Sequence, residues 1–292
     1  MSDTSISVTF PSRVSSKLLE WLPPVRGFSI IGSWLFRLLP LNSFVEVCIG
    51  GKVFRLDLRY RSQLAIIKNW PPEPDEINFV LRHLQAGDIF FDLGSNWGLY
   101  TAVAATIVGD DGLVVAVELN PVPFARLISL IHRARLTNVI PFNCALSNVS
   151  GDRVGFEKHW YRNDTGGFVS KLKSEQATVV ATRSLDRLWK QVGAPQVRIT
   201  KLDVEGFEPL VIEGGKEFFT AGVTDFVLVE VSDWTEARTG IHYSRIYADL
   251  ARCGFEQVYV FQEGNLVRAR MTEEAPFPVN RNVLFSRRVI AQ

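Results

Sequence analysis

Over most of its length the chain alternates between short, wholly apolar runs and stretches whose apolar positions recur every three or four residues. From Asp75, Ile77, Val80, Leu81 and Leu84 fall at helical spacing until Gly87 stops the run, which predicts a helix ending near Gln85. "IFFD" at 89–92 reads as a strand, Tyr100 to Ile107 as a second helix, and "LVVAVE" at 113–118 as a strand without a polar face. A helix follows over about 122–135, with Leu127, Leu130, Ile131 and Ala134 on one face, then a strand "VIPFNCAL" from Val139. "RITKLD", "DFVLVEV", "QVYVF" and "NVLFS" bring the main strands to seven. Apolar strands separated by helices predict an α/β fold, with a mostly parallel sheet covered on both faces.

Two regions depart from this rhythm. Residues 148–183 contain "RVGFEKHW", a polar glycine-containing loop and "ATVVATRSLDRLW", which predicts an insert of two antiparallel strands. Residues 1–75 form an N-terminal appendage ahead of a main domain at 76–292. It holds an apolar helix and a β-hairpin turning at Gly50 and Gly51, closed by "WPPEP". Its apolar segment "GFSIIGSWLF", between Arg26 and Arg37, has ten uncharged residues, whereas a spanning helix needs about 20. That excludes a membrane span and favours a helix packed on the main domain. Residues 21–40 also offer a surface for peripheral membrane or partner contact.

Composition narrows the class. With 292 residues, 47% of them hydrophobic, the chain can bury a substantial core. Its 32 basic residues almost cancel its 31 acidic ones, so no global field draws it to nucleic acid, and none is expected as a partner. "MSDTSISVTF" lacks a charged n-region and apolar h-region, so the cytoplasm is the expected location. Cys48, Cys144 and Cys253 are widely spaced and form neither a disulfide pattern nor a zinc-ligand pattern; no metal ligand is assigned, and dependence on a divalent cation is left open.

The candidate chemistry lies where the predicted strands end. In "FDLGSNWGLYT" at 91–101, Asp92 closes a strand and Gly94 and Gly98 shape the turn into a helix, the position at which open parallel sheets bind ligands. A dinucleotide loop directs amides at a pyrophosphate, which the carboxylate of Asp92 would repel. A cationic ligand such as S-adenosylmethionine suits it better. Glu118 ends the next strand, where an acid accepts hydrogen bonds from ribose hydroxyls. In "TKLDVEGFEPLVIEGG" at 200–215, Asp203 and Glu205 flank a strand exit, either over the ligand cleft or as helix-opening acids. Glu230 and Asp233 add carboxylates to the same rim. Of four histidines, His83 and His132 read as packing or surface residues, while His159 and His242 lie where they can reach an acceptor hydroxyl.

The stretches "DLGSNWGLYT" and "KLDVEGFEPLVIEGG" together resemble the FkbM family of S-adenosylmethionine-dependent methyltransferases. The resemblance runs from about Glu73 to Phe285 through "VELNP", "NCALSNVSG", "TGGF", "SLDRL" and "NVLF". It implies a Rossmann-like sheet of seven strands, the last antiparallel, with helices on both faces. It implies S-adenosylmethionine as cofactor, held by Asp92, Gly94, Ser95, Asn96, Gly98, Tyr100, Thr101, Glu118, Asn120, Ala145 and Asp203. The implied activity is O-methylation of a hydroxyl on a small molecule, a glycan, a lipid-linked saccharide or a secondary metabolite, with Glu205, Asp203 or His159 as candidate bases. Two other readings remain at this stage: a nicotinamide-dependent oxidoreductase on the same fold, and a non-catalytic cofactor-binding scaffold.

Overall fold

A computed structural model describes residues 6–9, 44–49, 52–59, 64, 67, 73–157, 168–170, 178–269 and 277–290. The apolar segment at 21–40, the glycine loop at 158–167 and with it His159 lie outside the described residues.

The centre is a sheet of eight strands. β4 (Ile89–Leu93), β5 (Leu113–Val117) and β6 (Val139–Phe142) extend it in one direction; β11 (Val197–Leu202) and β12 (Thr224–Val231) extend it in the other. These five are parallel to one another, and β15 (Arg281–Ser286) runs antiparallel between β12 and β13 (Gln257–Gln262). The expected seven strands are therefore present. β14 (Asn265–Arg268) adds an eighth at the edge, paired to β13 through a tight turn at Glu263 and Gly264. Because the chain leaves β4 on one side and returns as β11 on the other, their carboxyl ends open a crevice.

Helices cover both faces. On one lie α1 (Pro74–His83), α2 (Leu99–Val108) and α3 (Pro121–Arg133); the antiparallel hairpin of β2 (Phe44–Ile49) and β3 (Lys52–Asp57) packs Val45, Val47, Phe54 and Leu56 into the same core. β1 (Ile6–Thr9) pairs with β2. On the other face are α4 (Leu185–Gln191), α5 (Glu208–Gly214), α6 (Lys216–Thr220) and α8 (Ser244–Arg252), with α7 (Trp234–Thr239) at the carboxyl rim after β12. Phe218 anchors that second core by stacking on Phe91 at 5.6 Å, with the Trp189 ring edge-on to it.

"VIPFNCAL" is not one strand. It divides at Asn143, whose Nδ2 donates to the carbonyls of Glu118 and Leu119 and draws the chain off the main sheet. β7 (Ala145–Leu146) then joins β10 (Thr178–Arg183), β8 (Arg153–Glu157) and β9 (Phe168–Ser170) in a separate four-stranded sheet. β8 and β10 are the antiparallel pair expected in the insert.

Candidate active site

The crevice at the ends of β4, β5 and β11 holds a cavity of about 760 Å³, counting the space out to its open mouth. Gly94, Asn96, Glu118, Asn120, Ala145, Asp203 and Glu205 line it, with an apolar shelf that includes Val117, Pro123, Leu146 and Phe207. Among the described residues three carboxylates face this space and no basic side chain lines it. A pyrophosphate there would meet only repulsion, whereas a sulfonium and an ammonium group would be attracted. The donor set therefore fits S-adenosylmethionine and argues against a nicotinamide dinucleotide.

Glu118 is organised from behind by the turn it faces. Its Oε2 accepts from the Asn96 amide at 2.8 Å and its Oε1 from the Asn120 amide at 2.6 Å, so the carboxylate ties the glycine turn to the start of α3. Burial raises its pKa to about 7, although those two amides favour the ionised form. Asn96 takes a left-handed backbone, φ 51°, and its buried Oδ1 has no partner among the described residues, leaving an acceptor for a bound molecule. Asn120 lines the cavity and also caps α3, accepting from the Val122 amide.

Several residues of the glycine stretch point elsewhere. Thr101 is fully buried and donates to Asp92 Oδ2 at 2.5 Å; Tyr100 lies in the core and donates to Glu73 Oε2 at 2.5 Å. Gly98 begins α2 at φ +97°, and a Cβ there would sit 2.6 Å from Leu127 Cδ1, so it serves the packing of α3. Asp92, Ser95, Gly98, Tyr100 and Thr101 do not line the cavity. Asp92 lies beneath it, 1% exposed, with Oδ1 unpartnered; burial raises its pKa, opposed by the charge of Lys201. Ser95 Oγ is likewise buried and without a partner.

At the opposite wall, Asp203 Oδ2 accepts from Lys201 Nζ at 2.6 Å. Burial alone would lower the Lys201 pKa, but Asp203, Glu73 and Asp92 around it hold the ammonium well above its ordinary value. The same Nζ lies 4.8 Å from the Tyr100 ring centre. Glu230, on β12, has its pKa raised by the charge of Asp203 and by burial. Asp233 is turned away from that pair, exchanging hydrogen bonds with Asn280. His242 bonds Ser244 at the start of α8, and His83 stacks on Phe79 at 4.0 Å. Among the described residues no group of three His, Cys, Asp or Glu side chains is placed to hold a metal ion.

Glu205 has a left-handed backbone, φ 56°, and a side chain 43% exposed at the cavity mouth, with Arg238 Nη1 at 3.4 Å from its Oε2. This loop depends on Glu208, a residue the sequence reading passed over. Its Oε1 accepts from the amides of Val204 and Gly206 at 3.0 and 3.1 Å, while its Oε2 is buried without a partner. Burial raises its pKa to about 7. Since the folded value exceeds the ordinary 4.5, the contribution to stability is complete below pH 4.5 and is lost as pH rises through about 7. Glu208→Gln keeps an acceptor for both amides without the buried charge. Denaturant unfolding is expected to show a flatter pH profile and greater stability than wild type at pH 8, by on the order of 1 to 3 kcal/mol. Parallel profiles for the two proteins would contradict this account.

A mostly parallel sheet with β15 and the edge strand β14 reversed, and an acidic cavity at its switch point, define the class as a Rossmann-like methyltransferase. Residues 86–256 match the family model described as the methyltransferase FkbM domain, and the chain belongs to that family of S-adenosylmethionine-dependent methyltransferases. It is 30% identical over 183 residues to the hexuronic acid methyltransferase AglP of Haloferax volcanii, a match covering 63% of this chain and 72% of AglP. Among solved structures it is similar to the methyltransferase FkbM of Methylobacillus flagellatus KT, at TM-score 0.44 and 10% identity over 77% of this chain and 54% of that one. It is also similar to an S-adenosylmethionine-dependent O-methyltransferase from Thermotoga maritima, at TM-score 0.40 and 15% identity over 78% and 71%. No helix among the described residues is long and apolar enough to cross a membrane.

Proposed function

We propose that the protein methylates a hydroxyl of a saccharide, with an acidic sugar in its acceptor. The observation that carries the reading is the cavity at the sheet's switch point, lined among the described residues by three carboxylates and no basic side chain. The relationship to a hexuronic acid methyltransferase supports a saccharide over the other acceptors of such enzymes. In this reading Glu118 accepts from ribose hydroxyls, Asn96 and Asp203 hold the amino-acid end, and the shelf at Ala145 and Leu146 takes the adenine. Gly94 keeps the two strand ends close enough to form the pocket. Asp92 and Thr101 brace the turn from below rather than touch the cofactor.

S-adenosylmethionine supplies a methyl group already activated by the positive sulfur. The chain's own task is to align the acceptor oxygen with it, where positioning is worth effective molarities on the order of 10⁵ M or more in favourable cases. A sugar hydroxyl is a weak nucleophile, and Glu205 at the mouth is the group we assign to take its proton. Asp203 is less suited, because Lys201 occupies it.

Transfer of a labelled methyl group from S-adenosylmethionine to oligosaccharides with uronic acid residues, to neutral oligosaccharides and to phenolic polyketides tests the assignment. The expected product is an alkali-stable methyl ether on the uronate-bearing acceptor. An alkali-labile methyl ester, or transfer only to the polyketide, would overturn the reading.

A further inference from the structure

A second cleft lies on the other side of α3, between that helix and the β2–β3 hairpin. It contains about 1230 Å³ on the same measure as the active-site cavity. Among the described residues its walls carry four guanidinium groups, those of Arg55, Arg59, Arg126 and Arg133, against a single carboxylate, that of Asp57. The rings of Phe44 and Trp97 lie between them. Val122, Arg126, Ser129 and Arg133 are spaced to share one face of α3, so the cleft runs along the helix.

Among the described residues, two of these guanidiniums have no carboxylate partner. Asp57 is engaged by Arg59, through Nη2 at 2.6 Å and Nε at 2.9 Å. Arg55 lies 4.3 Å above the centre of the Phe44 ring, and neither it nor Arg133 has an ion-pair partner among the described residues. Other arginines do have carboxylate partners: Arg245 and Arg252 share Asp249, and Arg198 pairs with Asp225. Gathering guanidiniums in a chain of net charge +1 raises repulsion in the folded state, which an anionic ligand would relieve. Guanidiniums suit planar or tetrahedral oxyanions, which they grip with two parallel hydrogen bonds, and the interleaved rings suit the apolar face of a sugar.

From this we infer that the cleft is an oxyanion-binding subsite for the acceptor, taking the carboxylate of a uronic acid or the phosphate of a phosphorylated sugar. The first turn of α3 separates it from the transfer cavity: Asn120 and Pro123 face the cavity, whereas Pro121 and Val122 face the cleft. The anion held here therefore belongs to a different sugar from the one methylated, and the acceptor is longer than a monosaccharide. The identity of this ligand rests on the saccharide reading above; the existence of the anion site does not.

Calorimetric titration of the full chain with glucuronic acid, inorganic pyrophosphate and glucose tests the subsite, alongside titration with S-adenosylmethionine. Glucuronate or pyrophosphate is expected to bind, with glucose failing to do so and affinity falling as salt is raised. Tighter binding of glucuronate assigns the site to a uronic acid, and tighter binding of pyrophosphate to a sugar phosphate. Arg55 and Arg133 are exposed, so the double variant Arg55→Ala/Arg133→Ala leaves the core intact. It is expected to lose at least tenfold in anion affinity while melting and binding S-adenosylmethionine as wild type does; Arg133→Glu should weaken the anion further than Arg133→Ala. Unchanged anion affinity in the double variant, binding of glucose equal to glucuronate, or no anion binding by wild type would overturn the subsite. Loss of S-adenosylmethionine binding by wild type would instead overturn the assignment of the transfer cavity.

Discussion

Gly94→Ala is expected to abolish measurable S-adenosylmethionine binding and to lower stability by roughly 3 to 5 kcal/mol, the sum of backbone strain and a severe overlap. Gly94 has φ +91°, and a Cβ there would stand 1.7 Å from the Asp203 carbonyl oxygen and 2.7 Å from its carbon. The neighbour is backbone, fixed by the Asp203 amide donating to the Leu93 carbonyl at 2.9 Å, so no side chain can swing aside. β11 must part from β4, taking Asp203 and Glu205 with it. A suitable control is Gly87→Ala, since Gly87 also has positive φ, +85°, but nothing lies within 4 Å of an added Cβ. It should lose only about 1 kcal/mol and bind the cofactor normally. Thermal melting and calorimetry on both variants check this, and equal behaviour of the two would refute the strand-contact argument.

Glu205→Gln is expected to reduce kcat by roughly 10² to 10⁴, the contribution of a positioned general base, while S-adenosylmethionine affinity changes less than threefold. Glutamine preserves size and an acceptor oxygen facing Arg238 but cannot take the hydroxyl proton. The measurement is single-turnover methyl transfer at saturating cofactor. Turnover equal to wild type would remove Glu205 from the reaction. A decrease in affinity alone would make it a binding residue. Asp203→Asn differs in kind, because it leaves the buried Lys201 ammonium without its ion-pair partner and should destabilise the fold as well as slow the reaction.

Much of this arrangement was legible in the sequence. Apolar strands ending in Asp92, Glu118 and Asp203 placed those residues at the carboxyl rim, since a run buried on both faces has only its end to offer to solvent. Which side chains turn inward was not legible. Among the residues of α2 from Leu99 to Val108, the helix is buried on almost every side, so no polar face fixes its rotation, and Tyr100 and Thr101 could not be told from cavity residues. Gly98 stands among the residues expected to hold the cofactor, yet the group packed against it is Leu127 of α3. Glu208 gave no signal because an acid in the first turn of a helix ordinarily faces water; here the inward fold of Val204 and Gly206 buries it. The break in "VIPFNCAL" arises from Asn143 bonding to two carbonyls distant in sequence, which no local pattern reports.

The bond from Tyr100 to Glu73 sets a boundary on how the chain can be divided. Glu73 precedes α1 and lies outside the segment matching the family, yet its carboxylate receives the Tyr100 hydroxyl and adds to the field holding Lys201 charged. A chain begun at residue 86 would leave that hydroxyl facing a hole, and would strip α2 of the hairpin residues Val45, Val47 and Leu56. The portion recognisable by likeness is thus smaller than the portion that must be kept together. Anyone grafting this cofactor pocket onto another scaffold would have to carry the preceding forty residues along with it.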